Sequence, residues 1–395
     1  MEIKIAKWYK NVNSPVLFMI DDFANVWIDL NNNGKVNLGE DWGYAKNNLN
    51  SSFRFLNEKV LEDFPDVKVT FFTLVGKRSS VIKNYNIPRF AESIDYDYLT
   101  KEFFKSINDD ERFEIAYHGL THGISGENAK DFCQEWKTFN SVEEAINQIE
   151  KGKKIYFDTF GKFPKGGKYC GYESNEFSDE SINKTGFLWW CRYWNPKLKN
   201  IPFRKRFEIK YFGSNKVIDI PSAFSGSYFT FKRRNSFIKY IFKNCIKPIW
   251  IKKGLTLLEF LLENKLIISI QEHISPSRVD GKRQTPNIFD DKESLKIIFK
   301  FLKNNNVWYA TATEVAEYFE ARENTKVFII GKNKFKLHYT GRIEKPLLTL
   351  LINENTFKKV ISPSGKIYKI MKDPYKHNSN LINLRIEDEG YYNFY

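Results

Sequence analysis

The stretch Glu114-Ile-Ala-Tyr-His118-Gly-Leu-Thr-His122 ends a short apolar run in two histidines four residues apart, in a chain that has only 5. Read as one helical turn, positions i and i+4 share a face, so both imidazoles converge on one point. Neutral imidazole is the commonest nitrogen ligand of a divalent metal, and the pair therefore predicts a metal. Two unrelated loop histidines is the plainer alternative. Two carboxylates, Asp21 and Asp22, close the apolar run Ser14-Pro-Val-Leu-Phe-Met-Ile. They fit either a site at a strand end or a pair capping the helix that follows. His273 closes Leu266-Ile-Ile-Ser-Ile-Gln-Glu, either as a proton-transferring group or as a satisfied strand-end histidine.

These groups meet only if several strand ends meet. The uninterrupted apolar run before Asp21 suggests a strand buried on both faces, as in a parallel sheet. The C-terminal edge of such a sheet is where α/β proteins build their sites. The pattern predicts a helix over 47–64, a strand over 67–75, a helix over 96–107 and a strand over 113–117. A further helix starts at the N-cap Ser141, with Glu144 completing a capping box, and is expected to end near Lys151 at Gly152. A Gly-rich aromatic loop, 161–172, precedes a helix over 178–184. Strands are predicted over 187–191, 217–221, 266–273 and 307–310, and helices over 290–303 and 313–320. This alternation implies a parallel barrel or a doubly wound sheet. From about Thr325 the texture changes to short strand-like runs at 326–330, 334–339, 347–352, 366–371, 381–386 and 391–395, separated by Asn, Gly and Pro. Such spacing suggests a small antiparallel sandwich. The predicted division is residues 1–323 and 324–395.

With 395 residues, 42% of them hydrophobic, the chain can bury a large core. There is no run of about 18 apolar residues that would span a membrane. The charged start lacks the apolar segment of a secretory signal, and Cys133, Cys170, Cys191 and Cys245 have no CxxC spacing, so a reduced, cytoplasmic protein is expected. The net charge is +14, with much of the excess between Arg204 and Lys253. A basic surface attracts anions. The basic aromatic segment 231–250 could lie on an anionic membrane surface, which would make the protein membrane-peripheral, or form a solvated insertion. Nucleic acid is not expected, since no recognition motif is present and acids interleave with the bases. Asp29, Asn31, Asn33, Gly34 and Glu40 are in register with a calcium loop, though an Asn-Gly turn accounts for them too.

In chain order, Asp21-Asp22, His118-x-x-x-His122, the Gly-rich aromatic loop and His273 resemble the motifs of the polysaccharide deacetylase family, the NodB-type carbohydrate esterases. Ala145-x-x-x-Ile149-x-x-Gly152 with Gly161 and Pro164, and Asn306-Val-Trp-Tyr-Ala-Thr-Ala-Thr-Glu314-Val-Ala-Glu317, resemble its connecting segments. The likeness runs from about Pro15 to Glu320. It implies an α/β fold, a distorted (β/α)7-type barrel carrying its site at the C-terminal strand ends, here followed by the small all-β, sandwich-like domain. It implies that Asp22, His118 and His122 hold one divalent metal, zinc being the first candidate, with Asp21 as general base and His273 as general acid. The implied reaction is hydrolysis of an N-acyl amide, acetyl or formyl, on a sugar in surface-polysaccharide assembly (O-antigen or capsule). The implied substrate is a glycan, or a sugar carried by a nucleotide or a lipid.

Two departures stand out. Gly119 sits where that family has Ser or Thr. Lys168-Tyr-Cys-Gly-Tyr172 sits where it has Arg and Pro before an aromatic. Lys168 is the candidate for the missing Arg, and Asp219 for the carboxylate that orients the acid histidine. The departures raise an alternative, a catalytically lapsed module that binds glycan or serves assembly. Trp42, Tyr172, Trp189 and Trp190 are candidates for sugar-stacking walls, with core packing the commoner fate of such residues.

Overall fold

The computed structural model describes residues 2–35, 37–40, 50–230, 251–252, 254–354, 356–374, 379–387 and 390–395. Its largest element is a ten-stranded sheet. The strands are β1 Ser14–Phe23, β2 Val69–Leu74, β3 Phe113–Gly119, β4 Gly166–Lys168, β5 Trp189–Cys191, β6 Lys210–Phe212, β7 Val217–Asp219, β8 Phe224–Ser225, β9 Ile268–His273 and β10 Val307–Tyr309. Their order is β6-β7-β5-β4-β3-β2-β1-β9-β8, with β10 beside the start of β1. Every pairing is parallel except β6 with β7. Parallel pairing brings the C-terminal ends to one edge.

Burial on both faces explains the sequence of β1, whose ten residues are all buried. Val16, Phe18 and Ile20 pack with Phe104, Ile149, Ile298 and Phe299 from the helices outside. Leu17 and Met19 pack with Phe72, Ala116, Trp189, Ile218 and Ile267, and with Ala312, Val315 and Phe319 from the helix Ala312–Glu323. The second cluster is the interior of a curled sheet. The fold is therefore the distorted (β/α) barrel expected, with free sheet ends at β6 and β8 among the described residues. Side chains alternate along a strand. The interior series 17, 19, 21 on β1, 116, 118 on β3 and 269, 271, 273 on β9 thus carries Asp21, His118, Gln271 and His273 to one mouth.

The C-terminal part holds two sheets. One contains Leu347–Ile352, Asn380–Arg385, Met371–Lys372 and the N-terminal strand Ile3–Ile5; the other contains Thr325–Gly331, Lys334–Tyr339, Tyr392–Phe394, Lys359–Ile361 and Ile367–Lys369. Residues of both sheets, among them Ile3, Phe335, Leu350, Val360, Ile382 and Phe394, share one core, a sandwich-like arrangement. The short, charged strand Ile3–Ile5 was not foreseen.

One expected helix end is corrected. The helix Val142–Phe160 runs straight through Gly152 and stops at Gly161, which takes φ +69°. Gly152 serves packing instead, since a Cβ there would meet the Tyr117 hydroxyl at 2.1 Å. Ser141 caps this helix as expected, accepting from Glu144 N, but the Glu144 side chain accepts from Asn140 N. The segment 231–250, Trp42, Cys245 and the first residues of the helix expected at 47–64 lie outside the described residues. No described helix is long and apolar enough to cross a membrane.

Candidate active site and metal centre

The two histidines converge, but not by a helical turn. His118 ends β3, and the chain then bends through Gly119 at φ +124°, His122 at φ +79° and Gly123 at φ +150°. A buried carboxylate holds the bend: Glu135 accepts from the backbone N–H of Leu120, Thr121 and His122, each at 2.8 Å. Burial pushes the Glu135 carboxyl up, against these three donors. This also accounts for Gly119. A Cβ at that position would meet Glu135 Oε2 at 2.7 Å, in a conformation that side chains other than glycine rarely adopt.

His118 is wholly buried, and its Nδ1 lies 3.0 Å from the Lys168 carbonyl. A carbonyl only accepts, so Nδ1 carries the proton and Nε2 keeps a lone pair. Burial lowers the pKa of the ring to about 4, so it is neutral at ordinary pH. Asp22, at φ +63°, breaks the alternation of β1 and turns toward the same point. Its Oδ1 lies 3.0 Å from His122 Nε2 and 3.7 Å from His118 Nε2. Its Oδ2 accepts from Arg78 Nη2 at 3.2 Å and Gln284 Nε2 at 2.9 Å. Burial alone would raise its pKa, but His122 and Arg78 beside it hold the carboxyl well below the usual range.

Asp21 is gripped by Lys168, whose Nζ lies 2.8 Å from Oδ1 and 2.7 Å from Oδ2. The ammonium also donates to Gln271 Oε1, which accepts from the Tyr172 hydroxyl at 2.8 Å as well, and it sits 4.2 Å from the Tyr172 ring centroid. Burial lowers the Lys168 pKa while Asp21 works against that shift. His273 pairs with Asp21 in register across β9 and β1, and its Nδ1 lies 2.7 Å from the Pro286 carbonyl. Asp21, Gln271 and His273 line a cleft of about 700 Å³ together with Tyr172, Tyr193 and Trp194.

His118 Nε2 is buried with no hydrogen-bond partner, and the His122 ring lies close to the buried Asp22 Oδ1. An unpaired buried polar atom is costly. A carboxylate oxygen and two imidazole nitrogens facing one point are a donor set that divalent zinc or a similar ion takes. The residues present fit such an ion. Cys170 adds a sulfur: it, His118 and His122 each offer a donor atom within 4.8 Å of the others.

Other residues singled out in the sequence go elsewhere. Asp219 pairs with Arg192 at 3.4 Å and Lys210 at 3.8 Å, and burial raises its pKa to about 6; the group on the His273 ring is the Pro286 carbonyl. Trp189 and Trp190 are fully buried core residues, while Tyr172 faces the cleft beside Trp194. In the 29–40 loop, Asp29 accepts from the N–H of Asn33 at 3.1 Å and of Gly34 at 2.8 Å. Sequence reading missed Arg78, Glu135, Gln271, Gln284 and Pro286. Of these only Gln271 carried a signal, two residues before His273 on the same strand face.

No protein-family model matches the chain, and no curated protein does. Solved structures do. A candidate polysaccharide deacetylase from Mycobacterium smegmatis is similar at TM-score 0.45 and 13% identity, over 79% of this chain and 92% of its own. A family 4 acetyl xylan esterase from Clostridium thermocellum, in complex with a cobalt ion, is similar at TM-score 0.35 and 12% identity, over 76% and 90%. A family 4 pseudoenzyme from Bacillus anthracis is similar at TM-score 0.36 and 13% identity, over 78% and 66%. The chemistry of this chain has to be read from its own residues.

Proposed function

We propose that this protein is a metal-dependent hydrolase that removes an N-acyl group, acetyl or formyl, from a sugar. The observation that carries the reading is the buried, unpartnered His118 Nε2 beside Asp22 Oδ1 and His122 Nε2, 3.9 Å from Asp21 Oδ2, Asp21 being a residue that lines the aromatic cleft. Asp22, His118 and His122 would hold the ion, which when bound polarises an acyl carbonyl and eases ionisation of water. Asp21 takes the proton of the attacking water, with Lys168 holding both of its oxygens. His273, its Nδ1 committed to Pro286, presents Nε2 to give a proton to the departing amine. Tyr172 and Trp194, with ring centroids 5.8 Å apart, offer apolar faces for a sugar ring.

The setting we propose is surface-polysaccharide assembly (O-antigen or capsule) in the cytoplasm, on a glycan or a sugar joined to a nucleotide or lipid carrier, with peripheral membrane contact. The chain is proposed to divide at 323/324, with Ile3–Ile5 lent to the β unit. The test is mutational. Asp22→Ala and His122→Ala proteins should lose bound metal and hydrolysis of N-acyl sugars together; full metal content in both variants ends the proposal.

The tight grip of Lys168 on Asp21 favours one second reading. Both oxygens of the proposed base are engaged by one ammonium, and a lapsed module that only binds glycan keeps the cleft without turnover. Binding of N-acyl glycans with no acyl release under any added divalent metal would select that reading.

A further inference from the structure

Cys170 is fully buried and begins the turn directly after β4, the strand whose Lys168 holds both Asp21 and the His118 ring. Its Sγ lies 2.7 Å from the His118 carbonyl oxygen. The sulfur and one ligand nitrogen from each of His118 and His122 fall within 4.8 Å of one another. Cys133 is half-buried and Cys191 is buried, and neither belongs to a donor cluster among the described residues. A lone buried thiol is ordinary core. This one sits against two imidazoles, one of which, His118, has a buried Nε2 with no hydrogen-bond partner, and His122 Nε2 in turn lies 3.0 Å from Asp22 Oδ1.

We propose that Cys170 Sγ is a further ligand of the metal, so that the ion takes a mixed donor set of Asp22, His118, His122 and Cys170. The inference rests on the metal reading given above. As the sulfur–metal bond forms, the thiol proton leaves to solvent, and the sulfur turns from the His118 carbonyl to the ion. Soft sulfur donors select zinc or cobalt over manganese, magnesium or calcium. Cys170 thereby sets which ion this centre accepts. Thiolate ligation is compatible with catalysis, since catalytic zinc sites with cysteine ligands exist. A fourth protein ligand also fills the open position, so a bound substrate either displaces the sulfur or joins as a fifth ligand.

The experiment loads metal-stripped protein with one equivalent of cobalt(II) and records its optical spectrum. The proposal predicts the visible bands of bound cobalt together with a near-ultraviolet thiolate-to-cobalt charge-transfer band. That band persists in Cys191→Ser and Cys133→Ser and is lost in Cys170→Ser. X-ray absorption at the zinc edge of the wild-type protein supplies a reading that needs no variant: one sulfur neighbour at about 2.3 Å among nitrogen and oxygen neighbours. Visible cobalt bands without the charge-transfer band, or zinc with only nitrogen and oxygen neighbours, overturn the role of Cys170 and leave the Asp–His–His centre standing. Wild-type protein that binds neither ion overturns both.

Discussion

At the scale of single residues, the centre is a set of compensated burials. Lys168 and Asp21 are both removed from water and survive there as a pair. Breaking a buried pair leaves one charge stranded. Lys168→Ala should therefore lose about 3 kcal/mol of stability in chemical denaturation, and its kcat on an N-acyl sugar should drop by ~10²-fold or more. Lys168→Arg, which keeps a cation beside the carboxylate, should lose less of both. His118 makes a second prediction. Its folded-state pKa is about 4 against an ordinary 6.5, because burial disfavours the charged ring. Below about pH 6.5 the unfolded chain takes up a proton that the folded chain refuses until about pH 4, so stability is lost as pH falls through that window. For metal-free protein the loss should reach up to about 3 kcal/mol. Denaturation midpoints across this range check it; a slope unchanged in His118→Gln would contradict it.

At the scale of elements, the parts legible in the sequence are those whose cause is local. The continuous apolar run of β1 announced a strand buried on both faces, and Asp21, His118 and His273 were legible as the polar residues that close apolar runs. The convergence of His118 and His122 was legible only as a spacing. Its cause is a bend closed by Glu135, whose tie to His122 spans 13 residues with no periodic signal. Arg78 and Gln284 were invisible for the same reason: the bond from Gln284 to Asp22 spans 262 residues. Gly152 misled because a glycine in a helix reads as an end, whereas here it makes room for Tyr117. The stretch around Gln284 matters to function, since Gln284 holds Asp22 while Pro286, two residues on, holds His273. One short segment thus steadies a metal-ligand candidate and the proposed acid. Groups that orient a ligand typically change metal affinity 10- to 100-fold. Gln284→Ala should weaken zinc binding at least ~10-fold by calorimetric titration, with a stability change of only about 1 kcal/mol.

At the scale of the molecule, a parallel sheet curls so that alternate side chains fill its interior below and meet at one mouth above. The interior is apolar through Leu17, Met19, Phe72 and Ala116, and at its C-terminal edge Asp21, His118, Gln271 and His273 arrive from three strands. The β-sandwich part is tied to the barrel through the N-terminal strand Ile3–Ile5 and through the helix Ala312–Glu323, whose Ala321 lies in the sandwich core. The account depends on the strands delivering one ion's ligands to one point. The most direct measurement is anomalous diffraction at the zinc edge from crystals grown with zinc. A single strong peak bounded by Asp22 Oδ1 and the rings of His118 and His122 is the predicted result. No peak at that mouth, in crystals that bind zinc elsewhere, would contradict it.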